Sequence, residues 1–212
     1  MNDLTNYWKI APLMQPGDVI AFGGVAVISH LIDVFSGSTI SHIAMVQQPR
    51  GAVKLIVPSI IPSDVVITES TIEEGVSGPQ SRPLGQTLAD YGDGARAWWL
   101  PLATAVRNAV DWPKFYAYIA QSEAGQIQYD TPGLFGFLGR NIPVIGSYIC
   151  QSESAKRLFC SGDFIALFEA AGVLRGINWS KTTPQDVVEM KLYQPYIQLI
   201  GTPAAIARFN TI

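Results

Sequence analysis

The chain has 212 residues, 48% of them hydrophobic and 15% charged, with a net charge of −3. That is enough apolar material for one medium domain with a well-buried core, and mild acidity without a Lys/Arg cluster argues against nucleic acid as a main partner. No stretch approaches about 18 unbroken apolar residues, so no transmembrane segment is expected.

The N-terminus lacks a charged region followed by an apolar run, so no secretory signal is read there and a cytoplasmic location is the default expectation. Release by lysis, as with a phage product, would leave no trace in the sequence. The two cysteines, Cys150 and Cys160, are too few for a disulfide framework, and no Cys/His spacing points to zinc. No phosphate or metal motif occurs, so no cofactor is expected.

In chain order, residues 1–15 form an irregular or short helical lead-in to a single domain spanning 1–212. Pro16, Gly17 and Asp18 make a turn, and Val19, Ile20, Ala21 and Phe22 predict a short apolar strand. Residues 27–35 have helical spacing, and His30 within them reads as a core or surface-flank histidine. Residues 41–47 predict a second strand opening at His42. Strand patterns follow at 53–57 and at 65–70, with a loop between them. Glu73 and Glu74 fall in the loop after the latter strand, and Gly75 to Pro79 predict a turn. Residues 84–91 are weakly helical, 95–100 a strand, and 106–125 helical through Trp112, Phe115, Tyr116, Tyr118 and Ile119. The segment 128–150 is rich in Gly, Pro and aromatics and predicts a loop-rich insert. A short helix capped at Thr183-Pro184 and a final strand within 192–200 complete the chain. Antiparallel strands with helices segregated around them predict an α+β fold.

The segment 157–172 predicts a helix with Cys160 at its mouth. Phe164, Ile165, Leu167, Phe168 and Ala171 have helical spacing, Ser161 and Asp163 suit a helix start, and Gly172 suits the position past its end. A cysteine at the positive end of a helix favours thiolate, although a lone buried cysteine also serves as a small apolar filler.

A cysteine nucleophile needs a base. His42 opens a strand after a Gly/Ser-rich turn, where an imidazole is accessible and its backbone is held by the sheet. Glu69 ends an apolar strand pattern. Beside the His42 strand it would orient the imidazole; otherwise it is an exposed strand end or pairs with a nearby Arg.

The order of Pro16-Gly17-Asp18-Val19-Ile20-Ala21-Phe22, Ser41-His42-Ile43, Val66-Ile67-Thr68-Glu69-Ser70 and Phe159-Cys160-Ser161 resembles permuted papain-like proteins of the NlpC superfamily. In these the histidine strand precedes the cysteine helix. The likeness extends from about residue 16 to about residue 190, with Tyr129-Asp130 resembling a substrate-side segment and Thr183-Pro184-Gln185-Asp186 the tail helix. It implies a circularly permuted papain-like fold, with a small antiparallel sheet or half-barrel packed against the cysteine-bearing helix. It also implies Cys160 as nucleophile, His42 as general base and Glu69 as orienter. The chain departs from the family in carrying Gly162-Asp163 where Ser-Glu often follows the cysteine, and in a long 128–150 insert.

The expected activity is a cysteine hydrolase, a peptidase or amidase that forms a thioester acyl-enzyme. The substrate expected is an amide of a peptide or peptidoglycan stem peptide. The oxyanion would be held by the Cys160 N–H and a second donor; Tyr129 is a candidate for that donor or for lining the substrate-binding cleft, with a packed core tyrosine as its plainer role. Two other readings stay open. One is a lipid acyltransferase or thioesterase of the same fold, like lecithin retinol acyltransferase, and the other a non-catalytic binding or virion-structural domain.

Overall fold

The computed structural model describes residues 2–24, 39–49, 64–73, 76–92, 94–125, 153–179 and 182–212. The expected helix at 27–35 with His30, the strand at 53–57, and the 128–150 insert with Tyr129 and Cys150 lie outside the described residues. The elements are α1 (Thr5–Ile10), a 3-10 turn (Ala11–Leu13), β1 (Val19–Gly24), β2 (His42–Gln48), β3 (Val66–Glu73) and β4 (Val76–Pro83). They continue with α2 (Leu84–Asp90), β5 (Ala95–Leu100), α3 (Thr104–Ala109), α4 (Trp112–Glu123), α5 (Glu153–Ala170), α6 (Pro184–Glu189) and β6 (Ile197–Ile200).

The fold is α+β. The described strands form a six-stranded antiparallel sheet in the order β4-β3-β2-β1-β5-β6. Its central strands are apolar at successive residues because both faces are covered. Val19 and Ala21, Ile43 and Met45, and Trp98 and Leu100 pack with Phe115, Phe164, Phe168 and Val187 from α4, α5 and α6. Ile20 and Phe22, Ala44 and Val46, and Ala97 and Trp99 pack with Tyr7, Leu84 and Leu88 from α1 and α2. Alternation along each strand thus feeds two cores instead of one core and solvent. The lead-in is accordingly structural: Tyr7 is fully buried and its hydroxyl donates to Asp64, whose other oxygen accepts from Gly85 N at 3.1 Å.

Asp18 pins the entrance to β1. Its carboxylate is buried and accepts from Gln15 N at 2.8 Å, Trp99 Nε1 at 2.9 Å, Leu102 N at 2.9 Å and the Arg107 guanidinium. Burial raises its pKa above the ordinary value, and Arg107 and the N–H donors oppose that rise.

Three expectations are corrected. Residues 76–79, expected within a turn, are strand instead and pair with β3, Gly78 opposite Thr71 and Pro79 opposite Ser70, while Gly75 lies outside the described residues. This is an edge strand, the one place in a sheet where a residue without N–H is readily held. By the same pairing Glu73 ends β3 opposite Val76, not in a loop. The helical pattern at 106–125 is two helices, broken at Val110, because Asp111 caps a new start by accepting from Lys114 N and Pro113 occupies the first turn. The expected Thr183 start of α6 holds, with a reciprocal Thr183–Asp186 capping box.

Gly23 brings β1 against the segment leading to β2. A Cβ there would lie 2.1 Å from the Thr39 backbone oxygen, so a side chain forces backbone apart. Gly23→Ala is expected to destabilise the fold by about 1–3 kcal/mol, read as a lower urea midpoint with unchanged slope.

Candidate active site

β2 begins at His42, whose backbone is registered opposite Phe22 of β1, while Ser41 N donates to Phe22 O at 2.8 Å. The Phe22 ring stacks on Tyr91 and lies 5.6 Å from the imidazole at a 38° tilt, forming an apolar wall beside it. Registered pairing of β2 with β3 runs from Gln48–Val66 to Met45–Thr68. His42 and Glu69 both lie beyond its Met45–Thr68 end, and α5 packs against both strands.

There the imidazole meets two partners. His42 Nε2 is 2.8 Å from Glu69 Oε2, and the ring also hydrogen-bonds Cys160. With Nε2 engaged by the carboxylate, Nδ1 is left for the sulfur. The opposite side of Glu69 is held by Arg82, whose Nη1 is 3.4 Å from Oε1. Cys160 and Glu69 are buried and the His42 side chain is 14% exposed.

The electrostatics follow from this order of charges. Burial by itself pushes the His42 pKa down, but the Cys160 sulfur beside it, its hydrogen bond and Glu69 carry the ring up to about 10. Burial by itself pushes the Glu69 carboxyl up, but His42 and then Arg82 hold it below its ordinary value. The imidazole therefore stays charged at neutral pH against a carboxylate on one nitrogen and a sulfur on the other.

One expectation about Cys160 is overturned. It does not sit at a helix mouth: α5 starts at Glu153, seven residues earlier, so Cys160 lies about two turns inside. The helix dipole acts over the first turn only and supplies nothing there. The backbone N–H of Cys160 is also committed to the carbonyl of Lys156, four residues back, as helical geometry requires. Ser161 and Asp163, read as start signals, lie inside the helix. Ser161 Oγ donates to Thr182 O at 2.5 Å, and Gly162 lies against Trp179, where a Cβ would be 3.3 Å from its ring. The end of α5 is as expected: Gly172 has φ +79, with Gly172 N bonded to Glu169 O and Val173 N to Phe168 O.

Beside the sulfur, between β2, β3 and α5, is a cavity of about 10 Å3 with Thr68, Glu69, Ser70, Cys160 and Asp163 in its wall. That is close to the space one water requires. Asp163 reaches it because residues three apart share a helix face; it is buried and accepts from Tyr118 OH at 3.2 Å.

The three residues expected to act together, Cys160, His42 and Glu69, are thus brought together. Tyr129 lies outside the described residues. Arg82, Ser70 and Asp163 were not singled out as site residues. Arg82 reaches Glu69 only through the β3–β4 pairing, which the Gly78-Pro79 signal concealed.

Among the described residues no cluster of His, Cys, Asp and Glu could hold a metal ion, and no helix is long and apolar enough to cross a membrane. Scans against protein-family models and curated proteins found no match to the chain.

Proposed function

We propose that the chain is a cysteine hydrolase working through a thioester acyl-enzyme on a permuted papain-like fold. The observation that carries this reading is the shared imidazole: one ring nitrogen on Glu69, the ring hydrogen-bonded to Cys160, and the ring held charged. A sulfur hydrogen-bonded to a charged imidazole is placed to act as a nucleophile, with the ring positioned to pass a proton on. Glu69 fixes the ring's orientation, and Arg82 fixes Glu69.

In the forward step the Cys160 sulfur attacks an acyl carbon. The bond to the leaving group breaks, and His42 gives its proton to that group. Water, losing a proton to His42, then cleaves the thioester. The substrate class best suited is an amide of a peptide or peptidoglycan stem peptide; an acyl lipid or thioester is the alternative for the same chemistry.

One observation favours a second reading. Cys160 is only 3% exposed, and a sulfur sealed from substrate would suit a non-catalytic binding or virion-structural domain. Intact-mass analysis after incubation with p-nitrophenyl acetate separates the two. One acetyl group on the wild type, absent from Cys160→Ser, is expected; an unmodified wild type that still reacts with iodoacetamide only as an ordinary buried thiol would reject the enzyme reading. Stem peptides and short-chain acyl thioesters then divide amidase from acyltransferase.

A further inference from the structure

A thiolate attack needs donors for the oxygen that becomes negative. The usual source, the N–H of the nucleophilic residue itself, is spent in α5 at Cys160. The donor must come from elsewhere.

Ser70 in the cavity wall carries a fully buried, unspent donor. It is 1% exposed, and its Oγ is a buried polar atom without a hydrogen-bond partner. It shares the small cavity with Cys160, reached from β3 one residue beyond Glu69. Because side chains alternate along a strand, Ser70 projects with Thr68 to the face opposite Ile67, toward the core that α5 covers. Glu69 and Ser70 thus serve two different partners from adjacent positions: the carboxylate takes the imidazole, and the hydroxyl lines the space beside the sulfur. A buried hydroxyl without a protein partner disfavours the fold, so it calls for a hydrogen-bond partner within the cavity beside it. The cavity has room for about one oxygen atom.

We propose that Ser70 is a catalytic residue, the hydroxyl donor to the oxyanion formed when Cys160 attacks an acyl carbon; this rests on the acyl-enzyme reading above. As the sulfur–carbon bond forms, the carbonyl π pair moves onto oxygen, and that oxygen enters the cavity and accepts from Ser70 Oγ. When the pair returns, the leaving group departs with the proton from His42.

The test is Ser70→Ala, with p-nitrophenyl acetate as the probe and three readouts: the acylation burst, iodoacetamide labelling of Cys160, and thermal unfolding. The expected result is a burst rate lower by about 10²-fold, KM little changed, and labelling unchanged. Tm is expected to hold or rise by about 2–4 °C, since a buried orphan is removed. A merely structural serine would give the reverse, a lower Tm with labelling disturbed, and that result overturns the proposal. An unchanged burst in Ser70→Ala also overturns it while leaving the acyl-enzyme reading intact. Absence of any Cys160-dependent burst in the wild type removes that reading itself, and the assignment of Ser70 with it.

Discussion

His42→Ala is expected to lower acyl-enzyme formation by about 10²- to 10⁴-fold and to slow iodoacetamide labelling of Cys160 at neutral pH to the rate of an ordinary buried thiol. The reason lies in the position of Cys160. Two turns inside α5 it receives nothing from the helix dipole, so its activation rests on the imidazole. Glu69→Gln keeps an oxygen near His42 Nε2 but removes the charge, and about a tenfold loss is expected from it. The pH dependence has a definite sign. Burial opposes the charge on His42, yet Cys160 and Glu69 raise its pKa to about 10 from 6.5. Stability drawn from the charged ring is therefore complete below about pH 6.5 and is lost as pH rises through about 10. In Cys160→Ala the sulfur's share of the rise is gone, so that loss sets in at lower pH. Urea unfolding of wild type and variant from pH 6 to pH 10 checks it; parallel pH curves would reject the pairing.

The largest effect on stability is expected at Asp18, well away from the sulfur. Asp18→Ala is expected to cost about 3–5 kcal/mol, because it strands a guanidinium that is 18% exposed. It also leaves Trp99 Nε1 and the backbone N–H groups of Gln15 and Leu102 without their acceptor. For a chain of this length that is a fall in Tm of about 10 °C. Asp18→Asn retains one acceptor oxygen and should lose less. Because β1 carries Phe22, which lies opposite His42, the same substitution should depress activity near its lowered Tm while sparing it in the cold. Differential scanning calorimetry paired with the acylation assay reads both.

Much of the architecture was legible because it is local. The apolar run Val19-Ile20-Ala21-Phe22 after a Pro-Gly turn, the Thr183-Pro184 start and the Gly172 stop each state their structure within a few residues. Misreadings came where local chemistry pointed one way and neighbours another. Gly78-Pro79 has the composition of a turn, yet β3 supplies a full partner and the edge position tolerates the proline. Ser161-Gly162-Asp163 has the composition of a helix start, yet Thr182 and Trp179 give each of the first two a packing role inside a longer helix.

The same division runs through the site. The residue types and their order, His42 at the head of a strand pattern, Glu69 at the end of another and Cys160 before an apolar helix, are properties of the sequence. Composition alone argued for one well-buried domain with few charges. What only the tertiary structure decided is how those residues meet. It placed Glu69 on Nε2 and the Cys160 sulfur on the same ring, set Arg82 behind Glu69 through a strand pairing hidden by proline, and left Ser70 without a partner in a cavity beside the thiol. Periodicity specifies which face of an element is buried, but distances between elements depend on strand order, register and the depth of a residue within its helix, and none of these is encoded in any single segment.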